Sequence, residues 1–582
     1  MLVSGKRDLY IKTFMFLGFI VVVMLFLTVR IYILQVVNGD SYRKQAIANY
    51  TRIIYIPAPR GTIYSADGKV LAEDRYLYTL SVVPIRMKDN TLKRISEVFH
   101  IGEDILKQRL EGTGKYPFQP VPLIRELDGN EIWLAMKLAQ YDPSIQVEAL
   151  PQRYYPYKDL FAHVVGYVGQ ITKEELSHLP STDYRPGDVI GKMGVEKAYE
   201  KELKGQKGIQ EVVVNARGQV LSSKIVKAPV KGKDIYLTLQ VDVQKHIRDV
   251  FINGKLKSGA AILVEPITGD VIAYYSHPSF DPNVFVRGVR PSDWQKWSKY
   301  NNLYDRVIAA RVPPASTFKV VTALAALHTD VITPNTVLPD PGYIKLGSLV
   351  FHDWSYPRSH GYQTVKEAIM NSCDVFFWQL ALKMKPEDIY NTAHDFGMDE
   401  KPYIDIPGGV AGIIPTPEWK KRTYGENWYV GDTLNMAVGQ GMDAVAPIHV
   451  LQVFVAIAGD GILPFLHVKK DPKYHPPKTA AMKYAPYFDV IRQGIRLVVK
   501  RGTARIINIK GVDLGAKTGT AEIGLKHIYH TWLAYMSPTK EGHVKYVGVF
   551  FAEKTPFKSW DLGKRVKPFL EWLLVRRASG EG

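Results

Sequence analysis

A serine and a lysine stand three positions apart in the stretch PPASTFKVVTALAAL, at Ser316 and Lys319. Residues at i and i+3 share one face of a helix, and the apolar run after Lys319 predicts that this helix is buried. Burial and the positive helix end both disfavour an ammonium, so we expect Lys319 to be neutral and to accept the proton of Ser316. The pair would supply a nucleophile and its base. Alone it is a weak signal, because about two such spacings arise by chance in a chain of this length.

Two further motifs follow this pair. They are Ser372-Cys373-Asp374 and Lys517-Thr518-Gly519. The ordered set resembles the Ser-x-x-Lys, Ser-x-Asn and Lys-Thr-Gly signature of penicillin-binding proteins and serine β-lactamases. The competing interpretation is that Ser316 caps a helix and that the third motif borders a strand. The presence of all three motifs in this order weighs against it.

Longer segments strengthen the resemblance. AAILVEPITGDVIAYYSHPSFDPNVF, NMAVGQGMDAVAPIHVLQVFVAIAGDG and RGTARIINIKGVDLGAKTGTAE are similar to transpeptidase-domain segments of class B penicillin-binding proteins. RGTIYSADGKVLA, RYYPYKDLFAHVVGYVGQI and GKMGVEKAYEKELKGQKG are similar to the pedestal of that class. Within it the chain most resembles the elongation-type enzymes, because Asp374 stands where many relatives have asparagine. Ala315 stands where glycine is usual, and we expect only a close approach of two segments there.

The resemblance implies acyl transfer on a D-Ala-D-Ala stem peptide by an enzyme that β-lactams inhibit. Ser316 would attack the penultimate D-Ala carbonyl with Lys319 as base, and the terminal D-Ala would leave. Which group takes the first proton is disputed in such enzymes. Ser372 would pass a proton to the leaving amine, and Asp374 would orient Ser372 and Lys319. An amine of a neighbouring stem would then take the acyl group and form a cross-link.

The third motif is expected to bind the substrate. Lys517 and the hydroxyls of Thr518 and Thr520 would hold the terminal carboxylate by charge-assisted hydrogen bonds, with Gly519 between them in the strand. Backbone N–H groups of Ser316 and Thr520 would form the oxyanion hole.

Other functions use the same residues. A D,D-carboxypeptidase would let water take the acyl group, and a serine β-lactamase would release it quickly. A membrane-anchored sensor of β-lactams or muropeptides is an alternative of a different class. The large pedestal favours a cross-linking enzyme over the first two. The short segment before the anchor disfavours the sensor.

Four side chains near the second motif are candidate zinc ligands. Carboxylate, imidazole and thiolate are donors that tetrahedral zinc accepts, and they are supplied by Asp340, Asp353, His360 and Cys373. Their spacing matches no standard zinc finger, and Cys373 could equally be a small buried hydrophobic residue. The reaction itself requires no cofactor, so this would be a structural zinc. We expect His527 and His530 to be loop or core polar residues.

The first part of the chain predicts a membrane anchor. Seventeen uncharged positions, TFMFLGFIVVVMLFLTV, are followed by Arg30 and IYILQVV, enough for one helix to cross a bilayer. No cleavage site follows, so the anchor is expected to be retained. We expect residues 1–12 in the cytoplasm, 13–37 in the inner membrane, and the rest on the extracytoplasmic, periplasmic side.

The remaining sequence predicts an α+β protein with two domains. Short strands and turns over residues 38–235 predict an elongated, β-rich pedestal, and residues 236–582 predict the transpeptidase domain, an antiparallel sheet flanked by helices. The resemblance implies pedestal salt bridges among Arg60, Arg153 and Glu196, and a membrane glycosyltransferase partner of the SEDS (RodA-like) kind. The net charge of +18 permits an anionic partner. The sequence has no nucleic-acid-binding motif, so we do not expect the protein to bind nucleic acid.

Overall fold

The structure is a computed structural model that describes residues 4–110, 117–179, 184–215, 220–538 and 544–579. It begins with the helix Ser4–Tyr32, a π-helical turn Ile33–Val37 and the helix Gly39–Tyr50. Within the described part of the chain, Arg7–Val37 is the one helix long and apolar enough to cross a membrane. Its apolar side chains are exposed to the surroundings, as a lipid-facing helix requires. This is consistent with a single-pass anchor.

The pedestal is built on two sheets. The first is antiparallel and has three strands: Thr51–Ile56, Gly208–Val214 and Val220–Lys227. The second has five: Ile235–Tyr236, Ile63–Tyr64, Val70–Val82 and Val121–Ile124 in that order, with Ile145–Tyr154 also paired to Val70–Val82. A short pair joins Val168–Gln170 to Val189–Gly191. The pedestal helices are Thr91–Phe99, Glu103–Leu110, Gly129–Tyr141, Ala162–Val165, Lys173–Ser177, Gly194–Ala198 and Glu200–Leu203.

One antiparallel sheet of five strands forms the centre of the second domain. Its order is Val271–His277, Gly259–Val264, Val544–Thr555, Tyr529–Pro538 and Gly515–Glu522. Every residue of Gly259–Val264 is buried, because helices cover both faces of the sheet. The expected α+β class is confirmed, and the segment AAILVEPITGDVIAYYS forms an antiparallel hairpin.

Helices and two small hairpins complete this domain. The hairpins pair Leu338–Asp340 with Gly361–Gln363 and Tyr343–Leu346 with Leu349–His352. The helices are Val241–Asn253, Asn283–Arg287, Pro291–Tyr300, Arg306–Ala309, Lys319–His328, Val365–Asn371, Asp374–Ala381, Pro386–Asp395, Pro417–Tyr424, Val430–Ala437, Pro447–Ala458, Ala485–Lys500 and Ser559–Glu571. Pro447–Ala458 is buried on all sides except its last residue, so its apolar run forms core against the sheet and not a second anchor.

The two domains are joined by paired backbone and by polar side chains. Ile235–Tyr236 pairs in parallel with Ile63–Tyr64, so the predicted limit at residue 235 falls inside a pedestal strand. Nearby, the Tyr199 hydroxyl donates to Asp405 at 2.7 Å. Lys469 forms an ion pair with Glu202 at 2.8 Å. These contacts fix the pedestal against the domain that carries the three motifs.

Candidate active site

Ser316 lies in a tight turn immediately before a buried helix. The turn, Ala315–Thr317, is 3₁₀-helical, and the α-helix begins at Lys319. The Ala315 N–H donates to the Gly439 carbonyl at 2.8 Å, and the Trp532 indole donates to the Pro313 carbonyl at 3.0 Å. These bonds hold the turn from both sides and leave Ser316 half-buried.

Ala315 adopts a backbone conformation that glycine tolerates better. Its φ is +51°, in the left-handed region that is strained for residues with a Cβ. The sequence comparison anticipated only a close approach at this position. The backbone angle supplies a second reason why glycine is usual there.

Lys319 is fully buried and is held by three oxygen atoms. Its Nζ lies 2.6 Å from the Ser372 carbonyl, 2.7 Å from Asp374 Oδ1 and 3.4 Å from the Ser372 hydroxyl. A carboxylate at this distance favours the ammonium form. The expectation of a neutral Lys319 counted burial and the helix end but not this carboxylate, and it stays a prediction.

Lys517 lacks such a carboxylate partner among the described residues. Its Nζ donates to the Ser372 hydroxyl at 2.8 Å and to the Thr518 carbonyl at 3.1 Å, and its side chain is fully buried. Burial lowers the pKa of Lys517 well below its ordinary value, and the charge of Lys319 lowers it further, while Asp374 opposes the shift. Of the two lysines, Lys517 is therefore the one whose ammonium is disfavoured.

The Ser372 hydroxyl connects the two lysines. Ser372 ends the helix Val365–Asn371 with φ +55°, a left-handed conformation that sets its side chain between Lys319 and Lys517. Such strain persists only where the surrounding structure holds it, and it is concentrated at functional sites. The hydroxyl can pass a proton between the two amines because it is at once a donor and an acceptor.

The strand Gly515–Glu522 packs directly against the Ser316 turn. A Cβ on Gly519 would lie 3.1 Å from the Pro314 carbonyl, so glycine permits this close approach. The Thr518 hydroxyl shares a hydrogen bond with Thr503 at 2.7 Å, and the Thr520 hydroxyl donates to Ser559 at 3.2 Å. The three motifs thus meet at one place.

Three neighbours of this site were not predicted as site residues. Gln440 donates to the Thr520 carbonyl at 3.4 Å, Gly439 accepts from the turn, and Thr503 contacts Thr518. All three lie inside segments that carried the family resemblance, MAVGQG and RGTARI. Their position in these segments could have marked them as candidates, but the sequence does not show which residues of a segment face the site.

The four candidate zinc ligands come together beside Ser372. One donor atom from each of Asp340, Asp353, His360 and Cys373 lies within 4.8 Å of all the others. His360 Nδ1 is 2.8 Å from Asp340 and 3.8 Å from Asp353. Asp353 also accepts the Asp374 N–H at 2.6 Å, which connects the cluster to the carboxylate that holds Lys319. Burial raises the pKa of the Cys373 thiol, and Asp353 adds to the effect.

The pedestal contains a buried ion-pair network on the expected residues. Glu196 accepts from Arg60 at 2.8 Å and from Arg153 at 2.5 Å. Asp74 and Glu200, which were not predicted, extend it at 3.1 and 2.8 Å. Outside both sites, His527 is exposed in a loop and His530 is buried in a strand.

Comparison with known proteins finds matches over most of the chain. Residues 259–571 match the family described as Penicillin binding protein transpeptidase domain, and residues 55–237 match the Penicillin-binding Protein dimerisation domain. The Peptidoglycan D,D-transpeptidase MrdA of Escherichia coli (strain K12) is 32% identical, over 86% of this chain and 82% of that protein. The enzyme of that name from Haemophilus influenzae is 31% identical, over 92% and 87%.

Solved structures of similar proteins share the fold over most of the chain. Penicillin-binding protein 2 of Helicobacter pylori, in a complex with MreC, has a TM-score of 0.79 and 27% identity, over 90% of this chain and 99% of that one. Penicillin-binding protein 2 of Pseudomonas aeruginosa in complex with WCK 5153 has a TM-score of 0.67 and 26% identity, over 90% and 97%. The chain belongs to the penicillin-binding protein transpeptidase family, and within it to the peptidoglycan D,D-transpeptidases of the penicillin-binding protein 2 type.

Proposed function

We propose that this D,D-transpeptidase cross-links stem peptides through an acyl-enzyme on Ser316. The observation that carries the proposal is the Ser372 hydroxyl, which lies within reach of both Lys319 and Lys517 beside the Ser316 turn. The Ser316 oxygen attacks the penultimate D-Ala carbonyl, and the bond to the terminal D-Ala breaks as its nitrogen takes a proton through the Ser372 hydroxyl. An amine of a neighbouring stem then takes the acyl group from Ser316. The backbone N–H groups of Ser316 and Thr520 bind the developing oxyanion, where one such donor is worth about 3 kcal/mol.

In this mechanism one of the two lysines, Lys319 or Lys517, is an ammonium and the other is a free amine. Before substrate binds, the relay places the ammonium on Lys319, which is paired with Asp374, and the free amine on Lys517, whose pKa burial lowers. A substrate carboxylate placed against Lys517 favours the ammonium there. The proton then moves from Lys319 through the Ser372 hydroxyl to Lys517. Lys319 is left neutral and takes the proton of Ser316, so substrate binding itself prepares the base.

Replacement of Lys517 by arginine separates carboxylate binding from proton transfer. Arginine keeps the positive charge but is always protonated, so it cannot accept the proton of Lys319. We expect penicillin to bind Lys517→Arg within about tenfold of the native affinity, while the acylation rate constant falls about a hundredfold. Stopped-flow measurement with a chromogenic β-lactam separates the two constants. Native acylation in this variant, with an unchanged melting temperature, would contradict the relay.

The same relay gives acylation a pH dependence. Because the pKa of Lys517 is lowered, the free amine is present above that value and is lost as the pH falls through it. Below it both lysines are ammonium groups and neither can accept a proton, so the native protein should acylate more slowly as the medium becomes acidic. In Lys517→Arg the acylation rate should not show this decrease at acidic pH.

Product analysis distinguishes cross-linking from D,D-carboxypeptidase activity. We expect the purified protein, given uncross-linked glycan strands, to form linked stem dimers and to exchange the terminal D-Ala for a fluorescent D-amino acid. A carboxypeptidase would release D-Ala without dimers. The Ser316→Ala variant is the control for background exchange. Release of D-Ala alone, across a range of acceptor concentrations, would contradict the transpeptidase assignment for this chain.

We further propose that Asp340, Asp353, His360 and Cys373 hold a structural zinc ion. The donor set and the mutual approach of the four side chains fit a four-coordinate site. The Gly342 N–H donates to Asp340 and the Asp374 N–H to Asp353, both at 2.6 Å, so two ligands are already oriented from outside. A zinc ion here would fix the loop before Ser372 without a disulfide.

Metal analysis tests this site with a matched pair of variants. We expect about one zinc per purified chain and a lower melting temperature after chelation. His360→Ala should lose the metal. His394→Ala should keep it, because His394 forms a similar pair with Asp399 at 2.9 Å outside the cluster. Native protein without stoichiometric zinc, or zinc retained in His360→Ala, would contradict the site.

The placement of the chain follows from the anchor and the substrate. We propose that residues 1–12 lie in the cytoplasm, that residues 13–37 span the inner membrane, and that the pedestal (38–235) and the transpeptidase domain (236–582) lie outside, where peptidoglycan is assembled. A SEDS-type, RodA-like glycosyltransferase is the proposed partner. A neighbour with a TM-score of 0.69 and 27% identity, from work described as the structural coordination of polymerization and crosslinking by a peptidoglycan synthase complex, supports it.

A further inference from the structure

A cavity of about 240 Å³ lies between the pedestal and the transpeptidase domain, apart from the active site. Its pedestal wall includes residues next to the strand Val121–Ile124, and its other wall is formed by the end of the helix Asn283–Arg287. Seven basic and two acidic side chains line it, so the lining is strongly positive.

Several of these basic groups are already neutralised. Arg60 and Arg153 are paired with Glu196, and Lys207 is paired with Asp188. Arg287 lies 3.4 Å from Glu126. Their charges serve to hold the pedestal together and leave little attraction for a ligand.

Arg109 and Arg125, by contrast, are not paired with a carboxylate among the described residues. Arg109 donates to the Leu123 carbonyl and has no carboxylate partner among the described residues. Arg125 is partly buried and forms no hydrogen bond, ion pair or ring contact within the described part of the chain. Burial and, to a smaller extent, the charge of Arg109 together lower the pKa of Arg125 to about 10. Among the described residues these two neighbouring guanidinium groups lack a counter-charge, and an anion bound between them would relieve their repulsion.

We propose that this cavity binds a phosphate-class oxyanion through Arg109 and Arg125. Guanidinium groups bind phosphate in a bidentate manner, and two unpaired positive charges match a multiply charged phosphate better than a single carboxylate. Arg109 also reaches the transpeptidase domain, since its guanidinium group packs against Gly288 and leaves no room there for a Cβ. An oxyanion that holds Arg109 in this position would therefore stabilise the relative orientation of the two domains.

Binding measurements on the full-length protein in detergent, in phosphate-free buffer, test the proposal. The probes are inorganic phosphate, pyrophosphate and acetate. Titration calorimetry measures their affinities, and thermal unfolding measures their effect on the melting temperature. We expect pyrophosphate or phosphate to bind and to raise the melting temperature. Equal affinities for phosphate and pyrophosphate would mean that the site recognises a single phosphoryl group. Tighter binding of pyrophosphate would mean that it recognises two linked phosphoryl groups. Tighter binding of acetate than of both phosphates would overturn the assignment.

Two variants make the test specific. Arg125→Gln should weaken phosphate binding about tenfold or more, since a charge-assisted hydrogen bond is lost. Without anion it should unfold no earlier than the native protein, because an unpaired charge is removed. Arg94→Gln, an exposed arginine of the neighbouring helix Thr91–Phe99, should bind as the native protein does. No binding to native protein, equal binding to Arg125→Gln, or an Arg125→Gln variant that fails to fold would overturn the proposal.

Discussion

Replacement of Ser316 by alanine is expected to abolish labelling by a fluorescent penicillin while the fold is kept. The acyl bond forms to the Ser316 oxygen, and alanine offers no nucleophile, so labelling should fall by at least about a thousandfold. The fold should persist because hydrogen bonds of Ala315 and Thr317 hold the turn. Gel fluorescence measures the label, and mass spectrometry of the penicillin-treated native protein should locate the adduct on Ser316.

A second serine provides the control. Ser258 is also half-buried, and its hydroxyl donates to the Glu553 carbonyl at 3.3 Å, away from the three motifs. Ser258→Ala should be labelled as fast as the native protein. Persistent labelling of Ser316→Ala would show that the nucleophile is another residue and would remove the basis of the proposed mechanism.

Replacement of Lys319 by methionine should damage both catalysis and stability. The base is lost, so acylation should slow by about a thousandfold or more. The Asp374 carboxylate is left without its partner, and breaking such a pair costs about 3 kcal/mol of unfolding free energy. Chemical denaturation and β-lactam labelling measure the two effects separately.

A double variant distinguishes the two roles of Lys319. Adding Asp374→Asn to Lys319→Met removes the unpaired carboxylate, so most of the lost stability should return. Labelling should not return, because no base has been restored. Recovery of labelling in the double variant would mean that Lys319 acts only by balancing charge. A single variant as stable as the native protein would mean that the ion pair is weak.

The central sheet was predictable because its strands are short apolar runs separated by turn residues. GAAILV and VIAYYSH read as a hairpin, and the structure pairs them. The segment EKAYEKELKG has the pattern of a single helix ending at a glycine, but the structure has two helices here, Gly194–Ala198 and Glu200–Leu203. The break is at Tyr199, whose hydroxyl bonds Asp405 in the other domain. A contact between residues so far apart in the chain leaves no pattern in the local sequence from which the helix break could be predicted.

The surroundings of the two lysines were not predictable from sequence for the same reason. Burial of the Lys319 helix could be read from VVTALAAL, but the approach of Asp374 depends on how a second helix packs. Lys517 looked like a simple cation for a carboxylate, and only the structure shows that it is enclosed and close to Lys319. The zinc ligands had no diagnostic spacing because two small hairpins bring them together.

The chain has one cysteine, and its thiol is completely enclosed. Maleimides and other thiol reagents react with an accessible thiolate, so Cys373 should stay unmodified in the folded protein. A cysteine introduced at an exposed position becomes the sole attachment point for a dye or spin label. Pairs of such positions, one in each domain, would report interdomain distances in the membrane without any change to the native thiol.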